Sequence, residues 1–137
     1  MSEEVFLSHS SKDRKMATRL AEALREHAVP VWYSETNLVG AQQWHDEIGK
    51  ALERCEWFLI ILSPPATGSE WVKRELLYAL RTPRYKGRIV PIRHRACDAA
   101  RLSWTLEDLQ AVDFTGRFNA GCRALLHALG IGADSGK

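Results

Sequence analysis

The chain has 137 residues, close to the size of one average domain, so we expect no second catalytic domain or sensor domain of normal size within it. Hydrophobic residues make up 45% and charged residues 26%, a composition typical of globular proteins that excludes a collagen-like repeat, a disordered tail or a membrane protein. The net charge of +2, from 19 Lys and Arg against 17 Asp and Glu, is too small to indicate nucleic acid or an anionic membrane as a partner.

Cysteine usage and the N-terminus predict a cytoplasmic protein. Cys55, Cys97 and Cys122 are odd in number, widely spaced and without a C-x-x-C pair, which suits a reducing compartment better than a disulfide framework. The N-terminus lacks a basic-then-apolar signal pattern, and no apolar run approaches the roughly 18 residues that a membrane span needs. We therefore expect no membrane partner.

The first half of the chain alternates strand and helix patterns. Residues 5–8 form a short apolar strand, and apolar residues then recur every four positions through 16–24, which predicts an amphipathic helix. The β-branched and aromatic residues of 29–33 predict a second strand, and the apolar spacing through 48–55 predicts a second helix. Residues 57–62 are apolar without alternation, as expected of a central strand covered on both faces.

The second half repeats the alternation. Residues 67–70 have the pattern of a capping box, Thr-x-x-Glu, and the apolar stripe through 72–80 predicts a third helix after it. Residues 89–93 and 111–114 predict the fourth and fifth strands. A final helix is predicted over 118–129, closed by a glycine.

Strands separated by helix-length connections predict right-handed βαβ units, and hence an α/β fold with a doubly wound, five-stranded parallel sheet and helices on both faces. We expect the strand order 2-1-3-4-5, with Pro30 in an edge strand and Pro91 at the cost of one ladder hydrogen bond. The stretch between strands four and five is poorly patterned, with a short helix near 98–102. The domain should span residues 1–132, followed by a frayed tail over 133–137.

In sheets of this kind ligands bind at the carboxyl ends of the strands, which places a site around residues 8–11, 34–44 and 63–75. Neither a G-x-G-x-x-G turn nor a G-x-x-x-x-G-K-S/T loop is present, so dinucleotide redox chemistry and P-loop phosphoryl transfer lose their main support. His94 and Cys97 are a close His/Cys pair without two further ligands at workable spacing, so we expect no metal site.

One group of residues gives a more specific functional signal than these motifs. Trp71 and Glu75 are one helical turn apart on the same side of the predicted third helix, with Tyr78 next along it. A carboxylate is thereby set beside aromatic surface near the mouth of the sheet, where partial burial would raise its pKa while leaving it mainly ionised at neutral pH. Spacing alone favours a simpler interpretation, with Trp71 packed in the core and Glu75 solvated.

Four segments of the chain together form a more specific pattern. They are Val5-Phe6-Leu7-Ser8-His9-Ser10-Ser11-Lys12-Asp13, Val31-Trp32-Tyr33 with the loop to Gly40 and Trp44, Phe58-Leu59-Ile60-Ile61-Leu62-Ser63, and Ser69-x-Trp71-x-x-x-Glu75-Leu76. In this order they resemble a bacterial Toll/interleukin-1 receptor (TIR) domain, and the resemblance spans about residues 3–130. It implies a flavodoxin-like fold with five parallel strands.

Many bacterial TIR domains cleave NAD+ at the bond between nicotinamide and ribose, with a catalytic glutamate in a Trp-x-x-x-Glu pattern. The resemblance therefore implies that Glu75 is catalytic, that Trp71 binds substrate, and that NAD+ is a substrate rather than a cofactor. It reverses the preference drawn from spacing alone. The other residues that it places around the substrate are Phe6, Ser8, His9 and Trp44, with the backbone amides of Ser10 and Ser11 at the phosphates.

The resemblance also implies that residues 34–43 form the loop after the second strand through which such domains assemble and gate their pocket. Ser34 stands where many relatives have an Asp, and Glu35 follows as its substitute. The other residues assigned to this loop are Asn37, Leu38 and Gly40. Because the chain has room only for an effector module, we expect it to depend on self-association through this loop or on a separate sensor or activator protein. The basic segment over 81–101 is expected to be a solvated face.

The leading hypothesis is an NAD+ glycohydrolase that releases nicotinamide and ADP-ribose, or a cyclic isomer of ADP-ribose, in bacterial antiviral defence or signalling. The rival is a non-catalytic TIR adaptor that makes only homotypic protein contacts. An adaptor has no need of a carboxylate at Glu75, which favours the enzyme. A third hypothesis, a deoxyribosyltransferase-like enzyme, shares the topology and a catalytic glutamate but explains the first segment less well.

Overall fold

A computed structural model describes residues 3–33 and 41–131, without the side chains of residues 41–44, so the predicted tail over 133–137 lies outside it. Within those ranges no helix is long and apolar enough to cross a membrane. The described strands and helices are β1 (Val5–Ser8), α1 (Arg14–Arg25), β2 (Val31–Tyr33), α2 (Ala41–Arg54), β3 (Trp57–Leu62), α3 (Pro64–Thr67), α4 (Glu70–Arg81), β4 (Ile89–Arg93), β5 (Val112–Asp113) and α5 (Phe118–Ala128). Short 3₁₀ segments are found at Ser11–Asp13, Pro83–Tyr85, Ala99–Arg101 and Trp104–Asp108.

The strands form one parallel sheet in the order β2-β1-β3-β4-β5, which confirms the predicted topology. β3 pairs with both β1 and β4 and is the central strand, as its unbroken apolar run predicted. Pro91 is accommodated within β4 opposite Ile60. At the far edge, β5 has only 2 residues, Val112 and Asp113, although the pattern predicted a strand over 111–114.

Helices cover both faces of the sheet, and alternate residues of β1 point to opposite faces. Val5 and Leu7 join a core with α1 and α5, whereas Phe6 joins a second core with α2 and α4. Ser8 follows the same alternation as Phe6 and therefore faces α4. This places a polar side chain at the carboxyl end of β1, on the side of the sheet that α4 covers.

The start of α4 differs from the predicted capping box. Thr67 is the last residue of α3, and its hydroxyl donates to the Pro64 carbonyl, so it does not cap α4. Ser69 is the N-cap instead, and its hydroxyl oxygen accepts the Val72 N–H at 3.2 Å. This cap sets where α4 begins, and hence which residues of the helix reach the sheet.

The basic segment over 81–101 is a solvated face, as predicted, since each of its Lys and Arg side chains is exposed except the half-buried Arg88. The Arg84 guanidinium donates to the backbone carbonyls of Leu52 and Cys55 and so ties the end of α2 to the segment after α4. Arginines of this segment that are exposed include Arg93, Arg95 and Arg101. Part of its positive charge therefore stabilises the fold through hydrogen bonds to carbonyl groups.

Gly121 lies where α5 approaches Phe114. A Cβ added at Gly121 would lie 2.6 Å from the Phe114 ring, and that ring is already packed edge-on against Phe118 at 5.6 Å between centroids. We expect Gly121→Ala to lower the free energy of unfolding by about 1–2 kcal/mol, because overpacking outweighs the gain in helix propensity. Urea unfolding measures the change.

Gly49→Ala is the matched control, since Gly49 is an exposed position of α2 with nothing within 4 Å of an added Cβ. There the same substitution should raise the free energy of unfolding by up to about 1 kcal/mol through helix propensity alone. A Gly121→Ala chain as stable as the wild type would contradict the close contact with Phe114.

Candidate active site

A buried carboxylate lies at the carboxyl end of β1. Glu75 reaches from α4 toward the sheet with 6% of its surface exposed, and Ser8 at the end of β1 is 1% exposed. The Ser8 hydroxyl donates to Oε1 of Glu75 at 2.6 Å. Spacing alone favoured a solvated Glu75, and that interpretation is wrong.

A signal for this burial is present in the sequence. Val72, Leu76 and Ala79 form the buried stripe of α4. Glu75 stands in the same stripe, because positions i, i+3, i+4 and i+7 share one face of a helix. An acid inside an apolar stripe predicts a buried carboxylate.

Burial raises the pKa of Glu75 to about 7, because the charged form loses its hydration, and the hydrogen bond from Ser8 lowers that pKa in part. The sequence-based expectation was a carboxyl group that is mainly ionised at neutral pH. Instead, Glu75 titrates near neutral pH, so a small change in its surroundings changes the fraction of the group that is ionised.

Trp71 lies one turn before Glu75 on α4 and is partly exposed. Its ring lies 5.8 Å from the His45 ring of α2, and the Arg74 guanidinium lies 5.7 Å from its centre. His45 is exposed, and its ring packs at a tilt against that of Trp71. The aromatic wall of the site is therefore shared by α2 and α4.

Two other residues predicted around the substrate come from β1 and the turn after it. Phe6 is 1% exposed and is stacked on Trp32 and Phe58, at 5.1 and 5.5 Å between ring centroids. The Phe6 ring therefore packs in the core next to the site and offers almost no surface to a ligand. His9 is partly buried, with its ring 6.0 Å from that of Tyr33.

The turn after β1 is held by short-range hydrogen bonds. Ser10 is buried, its hydroxyl oxygen accepts the Lys12 N–H at 3.2 Å, and its carbonyl accepts the Asp13 N–H at 2.9 Å. Ser11 begins the 3₁₀ turn and is exposed. Binding of phosphate by the backbone amides of Ser10 and Ser11 stays a prediction.

Several predicted site residues lie outside the described part of the chain. They are Ser34, Glu35, Asn37, Leu38 and Gly40 of the loop after β2, together with the side chain of Trp44. Their assignment to substrate binding and assembly stays a prediction.

A second buried carboxylate lies at the same edge of the sheet, and the sequence did not reveal it. Asp13 is 4% exposed and accepts a hydrogen bond from the hydroxyl of Ser63, a buried residue just after β3. The two residues are 50 positions apart in the chain, and no local pattern joins them. Their proximity follows from the pairing of β1 with β3, which brings the carboxyl ends of both strands together.

Among the described residues, no three His, Cys, Asp or Glu side chains come together as a metal site. The described side chains of the site offer instead a carboxylate that titrates near neutrality, a hydroxyl donor and an aromatic wall. A desolvated carboxylate stabilises positive charge that develops beside it, because few water dipoles screen the interaction.

Comparison with known sequences identifies relatives over most of this fold. The family model described as TIR domain matches residues 5–126. Over 74 residues the chain is 34% identical to 2' cyclic ADP-D-ribose synthase BtTIR from Bacteroides thetaiotaomicron, a match that covers 53% of this chain and 26% of that protein. Over 110 residues it is 29% identical to NAD(+) hydrolase PdTIR from Paracoccus denitrificans, which covers 77% of this chain. The chain spans no more than 36% of the length of either relative.

Comparison with solved structures agrees with this match. The crystal structure of the TIR domain of the Toll-related Receptor TRR-2 from Hydra magnipapillata matches with a TM-score of 0.76 at 16% identity, over 93% of this chain and 98% of that one. At such identity the likeness concerns the fold alone. Because the family model covers most of the chain and the sheet agrees with it, the chain belongs to the TIR domain family.

Proposed function

We propose that this TIR domain cleaves NAD+ at the bond between nicotinamide and ribose, with Glu75 as the catalytic residue. Nicotinamide leaves, and the ribose carbon forms a bond either with water, which gives ADP-ribose and a proton, or with a nucleophilic atom of the same molecule, which gives a cyclic isomer of ADP-ribose. The observation that carries the proposal is the buried Glu75 carboxylate, bound by Ser8 at the edge of the sheet where ligands of such folds bind. Two relatives of the chain are named as an enzyme that makes a cyclic ADP-ribose and an enzyme that hydrolyses NAD+.

The reaction needs charge stabilisation rather than acid catalysis. Nicotinamide leaves as a neutral group, so no proton has to be delivered to it, unlike the leaving oxygen in a glycosidase. The ribose develops oxocarbenium character, and a carboxylate in a desolvated site stabilises that charge strongly. Ser8 binds Oε1 of Glu75, and we assign Oε2 to the ribose.

Only the ionised form of Glu75 acts in this way. In the free chain burial holds its pKa at about 7, so part of the population is protonated at neutral pH. The nicotinamide ring of NAD+ carries a positive charge, and a neighbouring positive charge favours the ionised form of a carboxyl group. Binding of the substrate and activation of Glu75 are therefore coupled.

Trp71 is the residue that we assign to the nicotinamide ring. It is partly exposed, one turn from Glu75, and an aromatic face attracts a cationic ring. His45 and Arg74 both pack against the Trp71 ring. These contacts restrict the orientation of the ring before a ligand arrives.

The rival hypothesis, a non-catalytic adaptor, explains the site less well. Among the described residues, the pKa of Glu75 responds to burial and to Ser8, and no cation compensates the buried carboxylate. Such a group lowers the stability of the folded chain. An adaptor would be more stable with an apolar side chain at this position, beside Leu76. Membership of the TIR family leaves the deoxyribosyltransferase-like hypothesis without support.

We further propose that activity depends on assembly through residues 34–43 or on a separate activator protein. Support comes from the contact between His45 and Trp71. Residues 41–43, predicted as the end of this loop, form the start of α2, and His45 follows them in the first turns of the helix. A rearrangement at the start of α2 would therefore reach the aromatic wall of the site.

Glu75→Gln should reduce nicotinamide release by at least about 100-fold, because Gln keeps the shape of the side chain but has no charge to stabilise the ribose. Glu70→Gln is the matched control, since Glu70 is exposed in the first turn of the same helix. Both are assayed as concentrated protein with a crowding agent, so that loss of assembly is not mistaken for loss of catalysis. Chromatography of the products separates ADP-ribose from its cyclic isomers. Equal rates for Glu75→Gln and wild type would disprove the assignment.

The same variant tests the buried carboxylate without substrate. The pKa of Glu75 rises from an ordinary 4.5 to about 7 on folding, so its contribution to stability is present below the lower value and is lost as the pH rises through the higher one. Between about pH 4 and 9 the wild type should lose about 3 kcal/mol of unfolding free energy relative to Glu75→Gln. Urea unfolding across this range measures the difference. Parallel pH profiles would show that Glu75 is not desolvated.

Dependence on assembly predicts that activity per mole of protein rises with protein concentration, because mass action favours the associated form. Nicotinamide release is measured from about 0.1 to 100 µM protein, with light scattering on the same samples. A dilute monomer that is as active per mole as the concentrated protein would contradict this dependence.

A further inference from the structure

A second pair of buried polar side chains, Asp13 and Ser63, lies at the edge of the sheet that carries Ser8 and Glu75, and the proposed chemistry does not use it. The Ser63 hydroxyl donates to Asp13, and both residues are almost wholly buried. Apolar side chains would fill such a position without the desolvation of a carboxylate. Packing alone therefore does not explain why the chain buries a carboxylate and a hydroxyl group here.

Ser63 connects β3 to the helix that carries Glu75. Its hydroxyl oxygen also accepts the Ala66 N–H at 3.2 Å and so caps α3. Gly68 follows α3, and α4 begins directly afterwards at its own cap, Ser69. The orientation of the Ser63 side chain therefore influences the path of the chain into α4.

Asp13 lies at the end of the turn that follows β1, and its carboxylate accepts the hydrogen bond from Ser63. The turn that leads from Ser8 to Asp13 is closed by the Asp13 N–H, which donates to the Ser10 carbonyl at 2.9 Å. Ser8 is paired with Ile60 in the sheet. Ser63 lies just after β3, about 10 Å farther along the chain than Ile60. The hydrogen bond from Ser63 to Asp13 therefore joins the segments that follow β1 and β3, beyond the last paired residues of the two strands.

We propose that Asp13 and Ser63 are positioning residues for Glu75. Their hydrogen bond holds the turn after β1 against the segment that leads into α4, and so keeps the Glu75 carboxylate within reach of the Ser8 hydroxyl. Apolar packing of α4, for example through Leu76, sets the distance of the helix from the sheet. It constrains the position of the helix along the sheet less sharply than a hydrogen bond does, because hydrophobic contacts are not directional and hydrogen bonds are. The proposal rests on the proposed function only in naming Glu75 the catalytic residue.

Loss of the hydrogen bond between Ser63 and Asp13 should therefore change the pKa of Glu75, because it disturbs the contact between Glu75 and the Ser8 hydroxyl. Within the described ranges, burial raises the pKa of Glu75 and the hydrogen bond from Ser8 lowers it, while the charge of Asp13 acts on the Cys97 thiol. Asp13→Ala should loosen the Ser8 contact and so raise the pKa of Glu75. A direct effect of the Asp13 charge has the opposite sign, because removing a negative charge lowers the pKa of a nearby carboxyl group.

The experiment is a double-mutant cycle of Asp13→Ala and Ser8→Ala in the full chain. NMR follows the ¹³C-labelled carboxyl carbon of Glu75 against pH, and nicotinamide release from NAD+ is measured over the same range. Asp13→Ala alone should raise the titration midpoint of Glu75 by about one pH unit and, through the smaller ionised fraction, lower release at neutral pH about 5-fold. In the Ser8→Ala background the same substitution should change the rate by less than about 2-fold and leave the midpoint in place.

Two further variants separate positioning from general destabilisation. Asp13→Asn keeps a side-chain oxygen that accepts from Ser63 but carries no charge. Its Glu75 titration midpoint and its rate of nicotinamide release should therefore be much closer to the wild-type values than those of Asp13→Ala. Leu126→Ala disturbs the core on the opposite face of the sheet and should leave the midpoint of Glu75 unchanged. If Asp13→Ala does not fold, Asp13→Asn combined with Ser63→Ala removes the bond while keeping the volume of the side chain at position 13.

An unchanged midpoint in a folded Asp13→Ala chain would overturn the positioning role. Additive effects of Asp13→Ala and Ser8→Ala would overturn it too, as would a fall in the midpoint shared by Asp13→Ala and Asp13→Asn. The NMR midpoint needs no substrate, so this proposal and the proposed function fail separately. A chain that releases no nicotinamide but shows the non-additive shift keeps the positioning role and loses the catalytic one.

Discussion

Desolvation of carboxylates at one edge of a fully covered parallel sheet is the constraint on which the rest of this structure depends. Helices pack on both faces, so α4 brings its buried stripe, with Glu75 in it, against the sheet. A carboxylate in that position keeps little hydration, and hydroxyl groups at the ends of the strands become its partners. Ser8 binds Glu75, and Ser63 binds Asp13. The fold uses the same type of hydrogen bond at both places.

The constraint also connects stability with function. Above neutral pH, a carboxyl group whose pKa is about 7 destabilises the folded chain, while a reaction that builds up positive charge benefits from the same desolvated anion. Proteins commonly tolerate lower stability at sites of this kind. Here Glu75 lies inside the stripe that packs α4 on the sheet, so its ionisation places a charge in the contact between helix and sheet as well as at the proposed site of chemistry.

How much the sequence could predict depends on the range of each interaction. The central strand followed from the apolar pattern of a single element, and the sheet order followed from the alternation of strands and helices along the chain. The burial of Glu75 was missed from spacing, although its signal lies within one helix, because Glu75 stands among the apolar residues of the buried stripe. Asp13 and Ser63, by contrast, meet only after two strands have paired, and His45 reaches Trp71 only through the packing of two helices. Such contacts leave no periodic signature in either segment.

The short edge strand β5 limits how copies of this domain can join. Only Val112 and Asp113 pair with β4 there. Hydrogen bonds from Thr115 lower the pKa of Asp113, which keeps its carboxylate ionised at neutral pH. A short, charged edge offers an incoming strand few backbone groups and repels the same charge on a second copy. Even at high protein concentration, this side of the sheet is therefore a poor template for the cross-β aggregation that would make association irreversible.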